Sequence, residues 1–249
     1  MSEISVGLLA NNVDKVQSQH SYLSENDDVF VIVRAYNEAE VIAPVLTDLK
    51  KAFKNIVVVD DGSSDRTAQI AFGSGVNVVR HPVNLGAGSA LQTGINYALV
   101  NKAKWLLNFD ADGQHQVEDA IQLLKRLRQG DCDIVIGSRF LGGAINMPWT
   151  RKCVLKLAVH FSRIFGRAHL TDAHNGLRAF TRSAAEILKV TQSGMAYATE
   201  IVSQWLENEM RIIEVPVTIK YTEYSLKKGQ SSLNAVNIVL DLLIGKLVK

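Results

Sequence analysis

The sequence predicts an α/β protein with a mainly parallel sheet covered by helices, and three observations carry this. Short apolar runs alternate four times with helix-period segments in the first half of the chain. Three of those runs stop at acidic residues, as strands do when they deliver side chains to one edge of a sheet. With 249 residues and 47% hydrophobic content, the chain can bury one large core or two tightly joined halves.

A polar leader over 1–28 precedes the first unit. "VFVIVRAY" (Val29–Tyr36) reads as a buried strand, and "EAEVIAPVLTDLKKAF" as a helix with apolar Ile42, Val45, Leu46 and Leu49 on one face. The second strand, Asn55–Val59, stops at Asp60-Asp61-Gly62, and Ser63 or Ser64 is positioned to cap the next helix. "VNVVRHP" and the glycine-containing helix entry "NLGAGSALQTGINYALV" make the third unit. The fourth is a strand Lys104–Phe109, then a helix near Val117–Gln129 with apolar Val117, Ile121, Leu124 and Leu127.

The second half opens with a strand, Cys132–Phe140, followed by a flexible "LGGAINMPWT" and a basic-sided helix, "RKCVLKLAVHFSRIFGRA". A helix "YATEIVSQWLENEM" leads to the strand "RIIEVPVTIKY", where Pro216 suits a sheet edge or a strand start. The end, over 233–249, reads as an amphipathic helix expected to pack on the core, with a membrane-interface position as the alternative.

Composition excludes several classes. A net charge of +2 argues against a general nucleic-acid binder. Cys132 and Cys153 lie far apart without metal-ligand spacing, which fits a reducing compartment rather than a disulfide scaffold or zinc site. The amino terminus lacks a secretory pattern, and no run reaches the ~18 apolar residues that span a bilayer. The expectation is a cytoplasmic protein, with peripheral contact on the inner face of a membrane as an extension of it.

"LLNFDADGQH" (Leu106–His115) raises the chemical question, because Asp110 and Asp112 point the same way at a strand exit. Like charges that close raise each other's pKa unless a cation neutralises them. A divalent metal would serve, since hard ions take carboxylate oxygens and substrate phosphates. The same pattern also presents the nucleophile of haloacid-dehalogenase-type phosphatases, and Asp-Gly also occurs in plain turns. Asn37-Glu38, Asp60-Asp61 and Asp110-Asp112 all fall at strand ends and would converge on one edge.

"AYNEAEVI", "VVVDDGSSDRT", "NLGAGSALQTGI", "DADGQH", "GSRF", "DAHNGLRAF" and "VPV" follow the order and spacing of the family-two glycosyltransferases. The chain most resembles their dolichyl-phosphate mannose synthase and polyprenyl-phosphate glycosyltransferase branch, over about 29–232. The resemblance implies a GT-A (Rossmann-like) fold, with a nucleotide-sugar half at about 29–115 and an acceptor half at about 116–232. It also implies a nucleotide-sugar donor, Mg²⁺ or Mn²⁺, inversion at the transferred sugar, and a lipid-phosphate or glycan acceptor.

By the same resemblance, Ala35, Tyr36, Glu38 and Asp60, with Asp61 beside them, face the base and ribose. Asp112 and Gln114 are metal ligands, while Asp110 binds the donor or reaches the metal through water. Arg139 and Arg151 correspond to phosphate-binding arginines, apt because a guanidinium fork grips phosphate oxygens. Asp172 is the first candidate for the base and Glu200 the second, and an anionic lipid phosphate would need neither. Gly86 and Gly88 are expected to permit close helix packing, and His174 to be structural. One departure stands out: the family usually has proline two residues before the tyrosine, where this chain has Arg34.

The phosphatase reading fails on order, since Gln114 stands where a Thr or Val is needed and the second acidic pair comes earlier. A nucleotidylyltransferase would need a Gly-rich arginine loop after the first strand, where "RAYNEAE" stands. A non-catalytic nucleotide-sugar-binding module is opposed by the presence of both metal-loop carboxylates and the candidate base.

Overall fold

The computed structural model describes residues 26–147, 170–194 and 196–228. The leader to residue 25, Arg151 with its predicted helix, and the segment 233–249 lie outside the described residues.

Among the described residues, seven strands form one sheet. In chain order they are β1 (Val29–Ala35), β2 (Asn55–Asp60), β3 (Asn77–Arg80), β4 (Trp105–Asp110), β5 (Ile134–Ile145), β6 (Arg178–Thr181) and β7 (Ile212–Lys220). The spatial order is β3-β2-β1-β4-β6-β5-β7, parallel throughout except that β6 runs against both β4 and β5. The predicted mainly parallel α/β architecture is therefore present. From β1 the chain steps outward through β2 to β3, then returns to place β4 on the other side of β1. Residues at the carboxyl ends of β1 and β4 thus flank a topological switch point, where open α/β sheets bind ligands.

The helices are α1 (Ile42–Leu49), α2 (Thr67–Gly73), α3 (Ala87–Val100), α4 (Val117–Leu127), α5 (Arg182–Glu186), α6 (Tyr197–Glu207) and α7 (Glu223–Lys228). One layer covers the sheet with α1, α2 and α4, through Ile42, Leu46, Leu49, Ala71, Leu123, Leu124 and Leu127. The other uses α3, α5 and α6, with Leu91, Ile95, Ala184, Ile201 and Trp205. β1 serves both layers, since alternate side chains face opposite ways: Val31 and Val33 join the first and Ile32 the second. In α4, Glu118 and Asp119 open the helix and Lys125 and Arg126 close it, both favourable to the helix dipole.

Several boundaries differ from expectation. α1 is confined to eight residues of the predicted stretch, and α6 ends at Glu207 rather than Met210. Neither Ser63 nor Ser64 caps α2; Asp65 Oδ1 accepts from the Thr67 N–H instead, at 2.9 Å. The segment expected to be flexible after Phe140 continues β5 to Ile145, pairing with Thr218–Lys220 beyond an irregularity between Ser138 and Gly143. Pro216 sits on β7, an edge strand, where its missing N–H is tolerated.

Candidate active site

The carboxyl edge begins with two loops that brace each other. After Tyr36, Asn37 adopts φ 53, a left-handed conformation that asparagine tolerates better than most residues. Its Oδ1 accepts from the Ser64 N–H at 2.9 Å, while Ser63 Oγ accepts from the Asn37 N–H at 2.9 Å. Thr67 Oγ1 accepts from the Glu38 N–H at 2.7 Å and Asp65 Oδ2 from the Ala39 N–H at 3.1 Å. The Ser, Asp and Thr of "DDGSSDRT" therefore shape the "YNEA" turn. Tyr36 remains 43% exposed on this edge. Glu38 is buried and accepts from the Tyr224 hydroxyl of α7 at 2.9 Å, and its burial with Glu38 pushes the Tyr224 phenol well above its ordinary range.

Asp60 and Asp61 divide their work. Asp61 accepts from the N–H groups of Leu85 at 2.9 Å and Gly86 at 2.8 Å, and its Oδ1 lies 2.7 Å from His81 Nδ1. Both its oxygens are engaged by the protein, so Asp61 holds the entry to α3. That entry runs close to the 192–193 segment: a Cβ at Gly86 or Gly88 would strike Ser193 or Gln192 backbone, which explains the glycines as packing residues. Asp60 is fully buried, yet among the described residues neither oxygen accepts a well-aligned hydrogen bond; the guanidinium of Arg80, with Nε 3.1 Å away, is its charge partner. A buried carboxylate with unfilled acceptor positions can take donor groups of a ligand only when the surrounding loops give it access.

Arg34 and Asp110 are direct neighbours on β1 and β4, across the switch point. Arg34 Nη2 donates to Asp110 Oδ1, and Nη1 donates to the Tyr197 hydroxyl at 2.6 Å with the guanidinium 5.0 Å from that ring. His115 Nε2 lies 3.3 Å from Asp110 Oδ2, its ring edge-on to Phe109. Burial alone would raise the Asp110 carboxyl; Arg34, joined by His115, holds it well below the usual range. Gly176 packs on the same carboxylate, where any Cβ would collide.

Asp112 has the opposite environment. Burial, reinforced by Asp110, pushes its carboxyl up. Its Oδ1 accepts from the Gln114 N–H at 3.0 Å, and the Gln114 carbonyl accepts from the Lys220 N–H at 3.0 Å, which pins the loop to the end of β7. Asp112 borders a cavity of about 630 Å³ between α1 and α4, walled by Pro44, Val45, Phe109, Val117 and Ile121. The carboxylate of Asp112 and the amide of Gln114 offer the hard oxygen donors that Mg²⁺ or Mn²⁺ takes. Among the described residues no ion pair engages Asp112, and no group of three His, Cys, Asp or Glu could enclose a metal unaided. The donor set fits an ion whose remaining ligands are phosphate and water.

On the acceptor side, Asp172 is 1% exposed, and its Oδ2 accepts from Arg139 through the main-chain N–H at 3.0 Å and Nε at 2.6 Å. Arg139 Nη1 donates to the Tyr221 hydroxyl at 2.8 Å. Glu214 fixes this turn by accepting from the N–H groups of Thr171 at 2.7 Å and Asp172 at 2.8 Å. Glu200 accepts from Thr191 N and Gln192 N, both at 3.0 Å, so both its oxygens stabilise the segment before α6. The edge thus brings together Ala35, Asp60, Asp110 and Asp112, while Asp172 pairs with Arg139 of β5 and Glu200 turns onto the 191–192 backbone. Sequence reasoning missed Tyr197, His115, Gly176 and Glu214 as site residues; the one visible signal among the missed partners was Arg34, in a position the family gives to proline.

A mainly parallel sheet with this acidic carboxyl edge defines a GT-A-type protein. The fold matches that of glucosyl-3-phosphoglycerate synthase from Mycobacterium tuberculosis, crystallised with Mn²⁺ and uridine-diphosphate-glucose, at a TM-score of 0.67 and 18% identity, covering 92% of this chain and 82% of that one. The model of Glycosyl transferase family 2 matches residues 30–188, and the chain belongs to that family. It is 37% identical over 242 residues to an uncharacterized protein of Methanocaldococcus jannaschii, covering 93% of this chain and 98% of the relative. It is 32% identical to the UDP-N-acetylglucosamine–dolichyl-phosphate N-acetylglucosaminyltransferase of Methanococcus voltae, covering 89% and 97%. It is 31% identical to the polyprenol monophosphomannose synthase of Mycolicibacterium smegmatis, covering 84% and 82%. The protein is a glycosyltransferase.

Proposed function

We propose that the protein is a metal-dependent, inverting glycosyltransferase that moves a sugar from a nucleotide-sugar donor to a polyprenyl phosphate. The observation that carries the donor half is the alignment of Asp60, Asp110 and Asp112 along one edge, with Asp60 a buried carboxylate whose oxygens accept no aligned hydrogen bond among the described residues. Asp60 accepts from the base or ribose, whose N–H and O–H groups are donors. Ala35, Tyr36 and Glu38 line the same end. Asp110 stays ionised and faces the sugar end of the donor. Asp112 and Gln114 would hold Mg²⁺ or Mn²⁺. When bound, the ion neutralises the charge that develops on the departing diphosphate.

The acceptor assignment is supported by the state of the two candidate bases. Asp172 is buried against Arg139 and Glu200 is engaged by backbone, so neither is poised to take a proton from a sugar hydroxyl. A phosphate oxygen is already anionic near neutral pH and attacks without a base. In this reading Asp172 orients Arg139, and Arg139 receives the acceptor phosphate; Arg151 is assigned to the same task. The names of the Methanococcus and Mycolicibacterium relatives point to the same acceptor chemistry. The catalytic unit is 29–232, with 233–249 assigned to packing on its core or, alternatively, to peripheral contact with the inner face of a membrane; among the described residues no helix is long and apolar enough to cross one.

The test is transfer of labelled sugar, with Mn²⁺, to short polyprenyl phosphates and to the matching polyprenols. Product from the phosphates alone is expected. Transfer to the free alcohols at the same rate would refute the acceptor assignment.

A further inference from the structure

Arg34 is the charged side chain at the donor edge whose role the transferase reading leaves unassigned. Its position on β1 sets it beside Asp110 across the switch point, and its side chain is 10% exposed. Both terminal nitrogens are directed, one to Asp110 and the other to the Tyr197 hydroxyl, while the buried Nε has no partner among the described residues. Asp110 cannot rotate freely away from this grip, because Gly176 and His115 close the other side of its carboxylate. Asp112, two residues on, has no such partner among the described residues and borders a cavity.

We propose that Arg34 is a positioning residue that serves as the resident cation for Asp110, so that the divalent ion is held through Asp112 without Asp110 as a direct ligand. The proposal rests on the metal reading above. Its consequence is a charge balance: Arg34 cancels one of two adjacent carboxylates, leaving a site that binds a bare cation weakly and gains affinity when the donor diphosphate supplies further oxygens. The same guanidinium, through Tyr197, ties the donor edge to the start of α6, so that Asp110 keeps its aim only while that helix is seated.

The test is a Mn²⁺ titration of the nucleotide-free protein, followed by electron paramagnetic resonance. Arg34→Ala unmasks Asp110 and should bind Mn²⁺ more tightly than the wild type, on the order of tenfold, while transfer falls. Arg34→Lys, which keeps the charge, should retain the wild-type affinity. A purely structural role would leave Mn²⁺ affinity unchanged or lower it, and that result in Arg34→Ala overturns the proposal. Arg34→Gln combined with Asp110→Asn removes both charges in nearly the same shape and covers the case in which the single variant does not fold. Its Mn²⁺ affinity should equal that of the wild type; a loss would make Asp110 a direct ligand and also overturn the proposal. Asp112→Ala should abolish Mn²⁺ binding in every background. Retained binding there would refute the metal reading itself, a failure distinct from that of Arg34.

Discussion

Replacing Asp60 by asparagine should move stability and ligand binding in opposite directions. The carboxylate is fully buried and has Arg80 as its charge partner, at 3.1 Å from a side chain that is itself 55% exposed. A charge held in such a place costs the free protein desolvation energy that an imperfectly aligned, solvent-screened arginine offsets only in part. The neutral amide removes most of that cost, for a gain of about 1 kcal/mol in the free protein. The ligand loses a charge-assisted hydrogen bond worth roughly 1.5–3 kcal/mol, which is about ten- to a hundredfold in affinity. Calorimetric titration of nucleoside diphosphates with Mn²⁺ reads the second effect, and urea denaturation without ligand reads the first. If Asp60→Asn destabilises the free protein by more than about 1 kcal/mol and leaves nucleotide affinity unchanged, Asp60 is a structural residue and the donor site lies elsewhere.

Other expectations follow from the same geometry. Asp172→Asn strands the Arg139 guanidinium, whose side chain is 10% exposed, and should cost roughly 3 kcal/mol in denaturation experiments; adding Arg139→Met should restore most of that stability without restoring transfer. Were Asp172 the base instead, the single variant would lose transfer with stability nearly intact. Glu200→Gln weakens the hold on Thr191 and Gln192 and should cost about 1–2 kcal/mol, with transfer reduced less than tenfold; a loss of a thousandfold or more would return Glu200 to the role of base. His174 is held neutral chiefly by burial, with Arg178 and Arg139 adding to it and Asp172 opposing, which brings its pKa down from 6.5 to about 4. A depressed folded-state value means stability is complete above 6.5 and declines as pH falls towards 4, by at most about 3 kcal/mol. His174→Gln should flatten that part of the stability curve, and an unchanged slope would contradict the assignment.

Much of the architecture was legible because it is local. The strands β1, β2 and β4 announce themselves as apolar runs, and their acidic ends mark the edge proposed to bind the donor without any knowledge of the partners. Pro216 was correctly read as an edge residue because its missing donor is a property of one position. What was not legible depends on register between distant segments. β6 inserts antiparallel between β4 and β5, and only that placement brings Gly176 onto Asp110 and Asn175 beside Asp172. The Arg34–Asp110 pair joins residues 76 apart in sequence, so nothing in the sequence pattern showed that a side chain of the protein already offsets the charge of Asp110. Glu200 and Asp172 carry the residue type of a base, but type does not show that their oxygens accept from Thr191, Gln192 and Arg139.

The central claim is that nucleotide sugar and divalent ion share the edge formed by Asp60, Asp110 and Asp112. A thermal-shift panel of nucleotide sugars, with and without Mn²⁺, on the wild type and on Asp112→Ala tests it most directly. At least one nucleotide sugar should raise Tm, the rise should be much larger with Mn²⁺, and the metal-dependent part should disappear in Asp112→Ala. A shift of equal size without the ion, or one that survives intact in Asp112→Ala, would contradict it.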